Sequence, residues 1–216
     1  LQVKEAIRTI RFQLAEIDKE YSGFSEDLLL QWLNEGCRLM ATMAKPFKNQ
    51  TNIDLAEDTT FQNNSKITPP DDYMEHIKVL WGETSEKVKP LIEGSLEWLH
   101  RYEEPDFLKT SHPQYWYHYG SNEIRLYPIP EDGILILHYY SYPEKVGKED
   151  KLPALSGFEV VPVDYAMYQA LRIKGHAMAS NFYNLFAQNT MQAERHARSR
   201  ETRGIDRLTT VYMEEG

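Results

Sequence analysis

Val3, Ile7, Ile10, Leu14 and Ile17 recur at spacings of four and three, with Lys, Arg and Glu between them. That is one apolar stripe on a helix, predicted over residues 3–20 and closed by Gly23. Ser25 is placed to cap a second helix, with Glu26 and Asp27 in the first turn, where the helix dipole favours anions. Leu29, Trp32, Leu33, Cys37, Met40 and Ala44 make its inward face, and Lys45-Pro46 stops it. Two helices on so short a link are expected to form an antiparallel pair. The helical period returns late in the chain. Val163, Met167, Leu171, Met178, Phe182, Leu185 and Phe186 mark one or two helices over 162–203. Pro162 suits a helix start there, and Gly175 is a soft point. Residues 208–216 carry little periodicity and read as a tail.

Between the two helical ends the pattern changes. "TNIDLAEDTTFQNNSKITPPDDY" is polar and turn-rich, with a corner at Pro69-Pro70-Asp71-Asp72. "EHIKVLWG" reads as a strand and "KVKPLIE" as its partner, with Pro90 confining that partner to an edge or a bulge. A short helix capped by Ser95 and ended before Pro105 comes next. "PQYWYHYG" and "EIRLYPIP" are strands joined by a turn at Gly120-Ser121-Asn122. The turn Pro130-Glu131-Asp132-Gly133 then leads into "ILILHYYSYP". The expectation is a three-stranded meander, completed to a small sandwich or barrel by the strands of 77–93. In its last strand, Ile134, Ile136, His138, Tyr140 and Tyr142 share one face and Leu135, Leu137, Tyr139 and Ser141 the other. Both faces are apolar at the start, so both must be covered there. The predicted class is α+β: a helical body of 1–48 and 160–207, an inserted antiparallel β-sandwich or barrel within 49–159, and a tail over 208–216.

Composition narrows the function classes. With 216 residues, 41% apolar and 26% charged, the chain is an ordinary globular one. Fourteen Tyr and four Trp favour surfaces that are packed and partly wet, as interfaces are. A formal net charge of −9 argues against a protein that coats nucleic acid or anionic membrane through Lys and Arg. The single Cys37 excludes an intrachain disulfide and suits a reducing compartment. No apolar run approaches the roughly 20 residues of a membrane span. The amphipathic "LQVKEAIRTIRFQLAEI" has no signal-peptide core, and a start at Leu1 suggests trimming.

Candidate chemistry is sparse. There is no phosphate-binding Gly-rich loop, no dinucleotide turn and no nucleophile elbow. Cys37 sits on an apolar helix face between Leu33 and Met40, the place of a core thiol. His118 and His138, on neighbouring strands with His112 just before, are the one constellation resembling a metal site, as in a small metallohydrolase; with no two-His spacing on a helix to support it, cross-strand pairing of His with Tyr is the favoured reading. Asp71-Asp72, Glu103-Glu104 and Glu131-Asp132 read as solvated turns or helix ends. Arg195, Arg198, Arg200, Arg203 and Arg207 form a basic run in an acidic chain. Either they complement the C-terminus of their own helix, or they form a docking patch for an acidic partner or, less readily, a DNA-facing belt. Tyr115, Trp116, Tyr117, Tyr119, Tyr139, Tyr140 and Tyr142 make an aromatic stripe. It fits a sandwich core with an interface, the favoured reading, and alternatively the platform of a carbohydrate-binding or other interaction module. No catalytic, cofactor-binding or metal-ligating residue is assigned.

The order of segments carries more than any one of them. A helix pair with "LLLQWLNEGCRLMA" precedes "ITPPDDYMEHIKVLW", then "YWYHYG", "IRLYPIPEDGILILHYYSYP", and "VDYAMYQALRIKGHAMASNFYNLFAQNTMQAERHARSR". Over about residues 24–203 this order resembles the head-to-tail adaptor (connector, head-completion, neck) proteins of tailed bacteriophages. The resemblance implies a structural virion protein with no enzymatic activity and no cofactor. It implies a ring, commonly of twelve copies, beneath the portal, which extends the DNA channel, helps retain the packaged genome and docks tail proteins. The implied partners are further copies, the portal protein, tail or nozzle proteins, and passing double-stranded DNA held without sequence specificity; no membrane is involved. The implied location is the head–tail junction of the virion, after assembly in the host cytoplasm. In that setting Arg195, Arg198, Arg200, Arg203 and Arg207 are expected at the portal. Tyr119, Tyr139, Tyr140 and Tyr142 are expected to touch a neighbouring copy or the tail. An acidic ring would repel the phosphate backbone, so that DNA slides and does not stick.

Overall fold

The computed structural model describes residues 1–17, 23–95, 112–120 and 123–213, with side chains beyond residue 199 outside the described residues. The class is mixed α+β, with helices at both ends and a β region inserted between them. The chain divides into two compact units, Leu1–Phe47 with Tyr142–Gly216, and Lys48–Ser141. The short helix expected over 95–105 and the turn at Ser121-Asn122 lie outside the described residues, Ser95 excepted.

In the helical unit, α1 (Val3–Ile17) buries its whole predicted stripe from Val3 to Leu14, with Ile17 packed at the margin. For α2 (Glu26–Ala44) the Ser25 hydroxyl accepts the Leu28 N–H at 3.3 Å, which satisfies one of the unpaired donors of a helix start. Lys45, in the left-handed region, closes the helix by donating to the Ala41 carbonyl. A later helix, Val161–Ile173, buries nearly every residue of its first ten. Such an all-round burial makes it the centre of the unit. Val163, Ala166, Met167, Ala170 and Leu171 meet α1 and α2 in one apolar cluster, while Val161 and Tyr165 meet Met40 and Phe186 in another. This helix ends in a Schellman arrangement, with Gly175 N–H on the Arg172 carbonyl and His176 N–H on the Leu171 carbonyl, both at 3.0 Å. The chain then enters a helix of 35 residues, Ala179–Met213, which continues through most of the segment expected as a tail.

Among the described residues the β unit holds seven strands in two sheets. They are β1 (Lys48–Asp54), β2 (Tyr73–Gly82), β3 (Val88–Pro90), β4 (Ile92–Glu93), β5 (Tyr115–His118), β6 (Ile124–Tyr127) and β7 (Ile134–Ser141). One sheet runs β1-β7-β2-β3 and the other β4-β5-β6. A short helix, α3 (Thr59–Asn64), lies after β1 and is capped by Asp58; the two later helices are therefore α4 (Val161–Ile173) and α5 (Ala179–Met213). Both sheets feed one core, with Val79, Trp81, Leu135, Leu137 and Tyr139 from the first and Trp116, Ile124 and Leu126 from the second. This is a small two-sheet sandwich.

The polar, turn-rich stretch from Thr51 holds the second half of β1 and the whole of α3. Strand β1 is mostly exposed and polar apart from Ile53, so it has no apolar alternation to read; it is held by an unbroken antiparallel register against β7, from Lys48 opposite Tyr140 to Asp54 opposite Ile134. One expectation needs correction: the three-stranded meander does not form. β6 pairs with β5, whereas β7 lies between β1 and β2 in the other sheet. Pro128 and Pro130 lack the N–H needed to extend a ladder, so β6 stops at Tyr127 and the chain crosses between sheets. A similar change of sheet divides "VKPLIE" into β3 and a β4 that runs parallel to β5.

Candidate functional site

The four tyrosines expected at an interface fall into two kinds. Tyr139 points into the sandwich core at 2% exposure, and its hydroxyl donates to Asp72 Oδ1 at 2.9 Å. It is a core residue, and burial pushes its phenol up to about 12, with Asp72 adding to the shift. The other three carry a cation over the ring. Arg125 and Lys66 stand 3.8 Å and 5.8 Å from the Tyr119 centroid, Lys48 stands 5.7 Å from that of Tyr140, and Arg38 stands 4.6 Å from that of Tyr142. A cation over an aromatic face is attracted by the ring quadrupole, most where water is partly excluded. Tyr119 is 41% exposed, and Lys66 also holds Glu123 at 3.0 Å, so this ring is fixed by a charged cluster at the sheet margin.

The rest of the aromatic stripe is not a flat exposed platform. Trp116 is buried, and Tyr115 and Tyr117 are half-buried on β5. His76 and His118 flank Trp116 with ring centroids 4.4 Å and 5.2 Å away. His118 Nε2 faces His76 Nδ1 at 3.5 Å, and burial together with that neighbour lowers the His118 pKa. His112 instead meets Glu83 at 2.9 Å and the edge of Trp81. His138 stands opposite Gln50 and Lys78 in the sheet. Among the described residues no three His, Cys, Asp or Glu side chains are placed to hold a metal ion. Cys37 is buried, which raises its thiol to about 12 and leaves it without thiolate character.

Of the acidic pairs, Asp72 is structural, bonded to Tyr139 and to Asn49. Glu131 and Asp132 sit with Asp54, Glu83, His112 and Trp81 around an open depression of about 620 Å³. Trp81 donates to the Asp132 carbonyl at 3.3 Å, so the turn is braced by backbone contact while its carboxylates stay in solvent. Glu103-Glu104 lies outside the described residues.

The basic run lies on α5. Arg195 and Arg198 are exposed, and Arg198 pairs with Glu194 one turn earlier at 2.6 Å. Arg200, Arg203 and Arg207 are on the same helix, with side chains outside the described residues. Sorting the sequence by unit shows where the charge resides. Lys48–Ser141 holds sixteen acidic and eight basic residues, a net of −8, and the helical unit holds seventeen and sixteen, a net of −1. Nearly all of the −9 therefore belongs to the β unit. Sequence reasoning did not find the four cations over the tyrosines. None of them had a signal in the sequence: even Lys48 and Tyr140, opposite in the register, meet through a β1–β7 pairing that the polar pattern of β1 does not announce.

No helix among the described residues is long and apolar enough to cross a membrane. Over residues 1–209 the chain matches a protein family described as SU10 adaptor protein. Among curated proteins none matches it.

Proposed function

The chain belongs to the SU10 adaptor protein family, structural adaptors of bacteriophages, and from that premise we propose that it is the head-to-tail adaptor of a tailed virion. Copies form a ring, of twelve in this reading, beneath the portal. The ring extends the DNA channel, helps retain the genome and docks tail or nozzle proteins. The role is structural, without catalysis or cofactor.

The observation that carries this reading is the division of charge. A β unit with a net charge of −8 repels a phosphate backbone on balance, so passing DNA slides and does not stick. The end of α5 is the opposite, with Arg195, Arg198, Arg200, Arg203 and Arg207 in thirteen residues. In this proposal that basic end docks on acidic portal surface, and Tyr119, Tyr140 and Tyr142, each fixed by a cation, contact a neighbour or the tail. Native mass spectrometry of the chain with the portal protein of the same virion tests it. The expected result is a portal complex carrying a ring of copies. A chain that stays monomeric and ignores the portal overturns it. Arg195→Glu with Arg198→Glu is expected to abolish portal binding at physiological salt, and binding unchanged by that pair removes the docking assignment.

A further inference from the structure

Between Lys174 and Glu194 lie nineteen residues without a single Asp, Glu, Lys or Arg. In a chain that is 26% charged, about five would be expected there. The stretch covers the last turn before α5 and the first four turns of α5 itself. Its inward face is accounted for: Phe186, Thr190 and Ala193 are buried, and Phe182 packs on the core of the helical unit. Its outward face is not. Asn181, Asn184, Leu185, Gln188, Met191 and Gln192 are all exposed, Leu185 at 43% and Met191 at 52%.

A helix that keeps one face in water normally places charge on it. Loss of charge together with exposed Met and Leu is instead the composition of the centre of a protein interface. From Arg195 onward the same outward face turns basic, so the neutrality is confined to one half of the helix.

The charge division selects the occupant. A second copy of this chain has the same charges in the same places. Two β units at −8 repel each other, whereas two helical units at −1 do not. Identical chains can therefore approach most closely through the helical unit, and the amides of the neutral face can exchange hydrogen bonds with a neighbour without stranding an ion. We propose that the outer face of α5 over residues 181–192 is a contact surface between adjacent copies of the chain. The proposal rests on the ring reading and assigns its contact to these residues.

The test is sedimentation of the full chain up to about 1 mM, a concentration that populates even a millimolar contact. Leu185→Glu with Met191→Glu puts charge on the face at exposed positions. Phe12→Glu, at a 68% exposed apolar position on α1, is the control. The wild-type chain and the control are expected to associate equally. The double variant is expected to associate at least about tenfold more weakly, with an unchanged circular dichroism spectrum and melting temperature. A wild-type chain monomeric throughout, or a double variant that associates like the wild type, overturns the assignment. Counting copies on the portal by native mass spectrometry separates the two readings. A full ring built from the double variant removes this face and leaves the ring reading standing; a wild-type chain that never joins the portal removes the ring reading itself.

Discussion

The guanidinium carbon of Arg125 lies 3.8 Å from the centre of the Tyr119 ring, and Lys66 approaches the same ring at 5.8 Å. A tyrosine 41% exposed is thus held in one orientation by neighbours and not by burial. Arg125→Gln should cost no more than about 1 kcal/mol, because a cation over an exposed ring contributes little to stability. It should nevertheless free the ring, which nuclear relaxation of the Tyr119 ring carbons would report. Unchanged relaxation would mean that the contact does not hold the ring.

Tyr139 is the opposite case. Tyr139→Phe removes a hydrogen bond to the Asp72 carboxylate in a buried setting and should cost about 1.5–3 kcal/mol in denaturant unfolding. Burial pushes the phenols of Tyr73, Tyr139 and Tyr165 up to about 12 from an ordinary value of 10.0. The folded state therefore keeps these protons while the unfolded chain loses them. The stability they contribute is complete below pH 10 and is lost as the pH rises to about 12. Phenolate absorbance should show these three rings ionising late, together with unfolding. Early ionisation of all fourteen tyrosines in a folded chain would contradict the burial argument.

The helices were legible because burial there follows a period of 3.6: the stripe of α1 and the inward row of α2 are the buried residues. The long run of β7 was legible for a similar reason, as Leu135, Leu137 and Tyr139 do share the core face. The partners of the strands were not legible. β1 has polar side chains and is specified by backbone pairing, which leaves no mark on composition. The Pro-containing turn before β7 gave a hairpin signal, yet Pro128 and Pro130 end the β6 ladder and the chain changes sheet. Of the candidate site, the arginine run could be read directly. The cations over Tyr119, Tyr140 and Tyr142 could not, because those pairs meet only through strand pairing and tertiary packing.

Gly133 tests how tightly the turn after β6 is specified. It has φ +113°, and a Cβ there would lie 2.6 Å from Trp81 Nε1. Gly133→Ala should cost more than about 2 kcal/mol, the sum of backbone strain and displacement of the indole. Gly157 also has a positive φ, +89°, but open space around it, so Gly157→Ala should cost only the backbone part, about 1 kcal/mol. Equal losses in chemical denaturation would show that the Trp81 contact contributes nothing.

Asp164 is a carboxylate buried in the helical unit, bonded to Asn189 of α5 at 2.8 Å, and its pKa is raised by burial. A raised carboxylate favours the protonated form in the folded state. Its contribution is therefore present below the ordinary value of 3.8 and is lost as the pH rises through the folded value. Asp164→Asn keeps the shape without the charge. At neutral pH it should be at least as stable as the wild type, gaining up to about 1–2 kcal/mol. The gain should shrink on acidification. A variant less stable at neutral pH than in acid, relative to wild type, would reverse the sign of the argument.

The separation of charge between the two units also acts before any contact is made. Two copies meeting at random in solution feel the repulsion of their β units over a screening length of about 8 Å at physiological salt. Encounters that lead with those units are turned back, and encounters between the nearly neutral helical units are not. The acidic sandwich then works as a kinetic filter on collisions, one that strengthens as salt is removed and that discourages disordered clumping while the chain is concentrated.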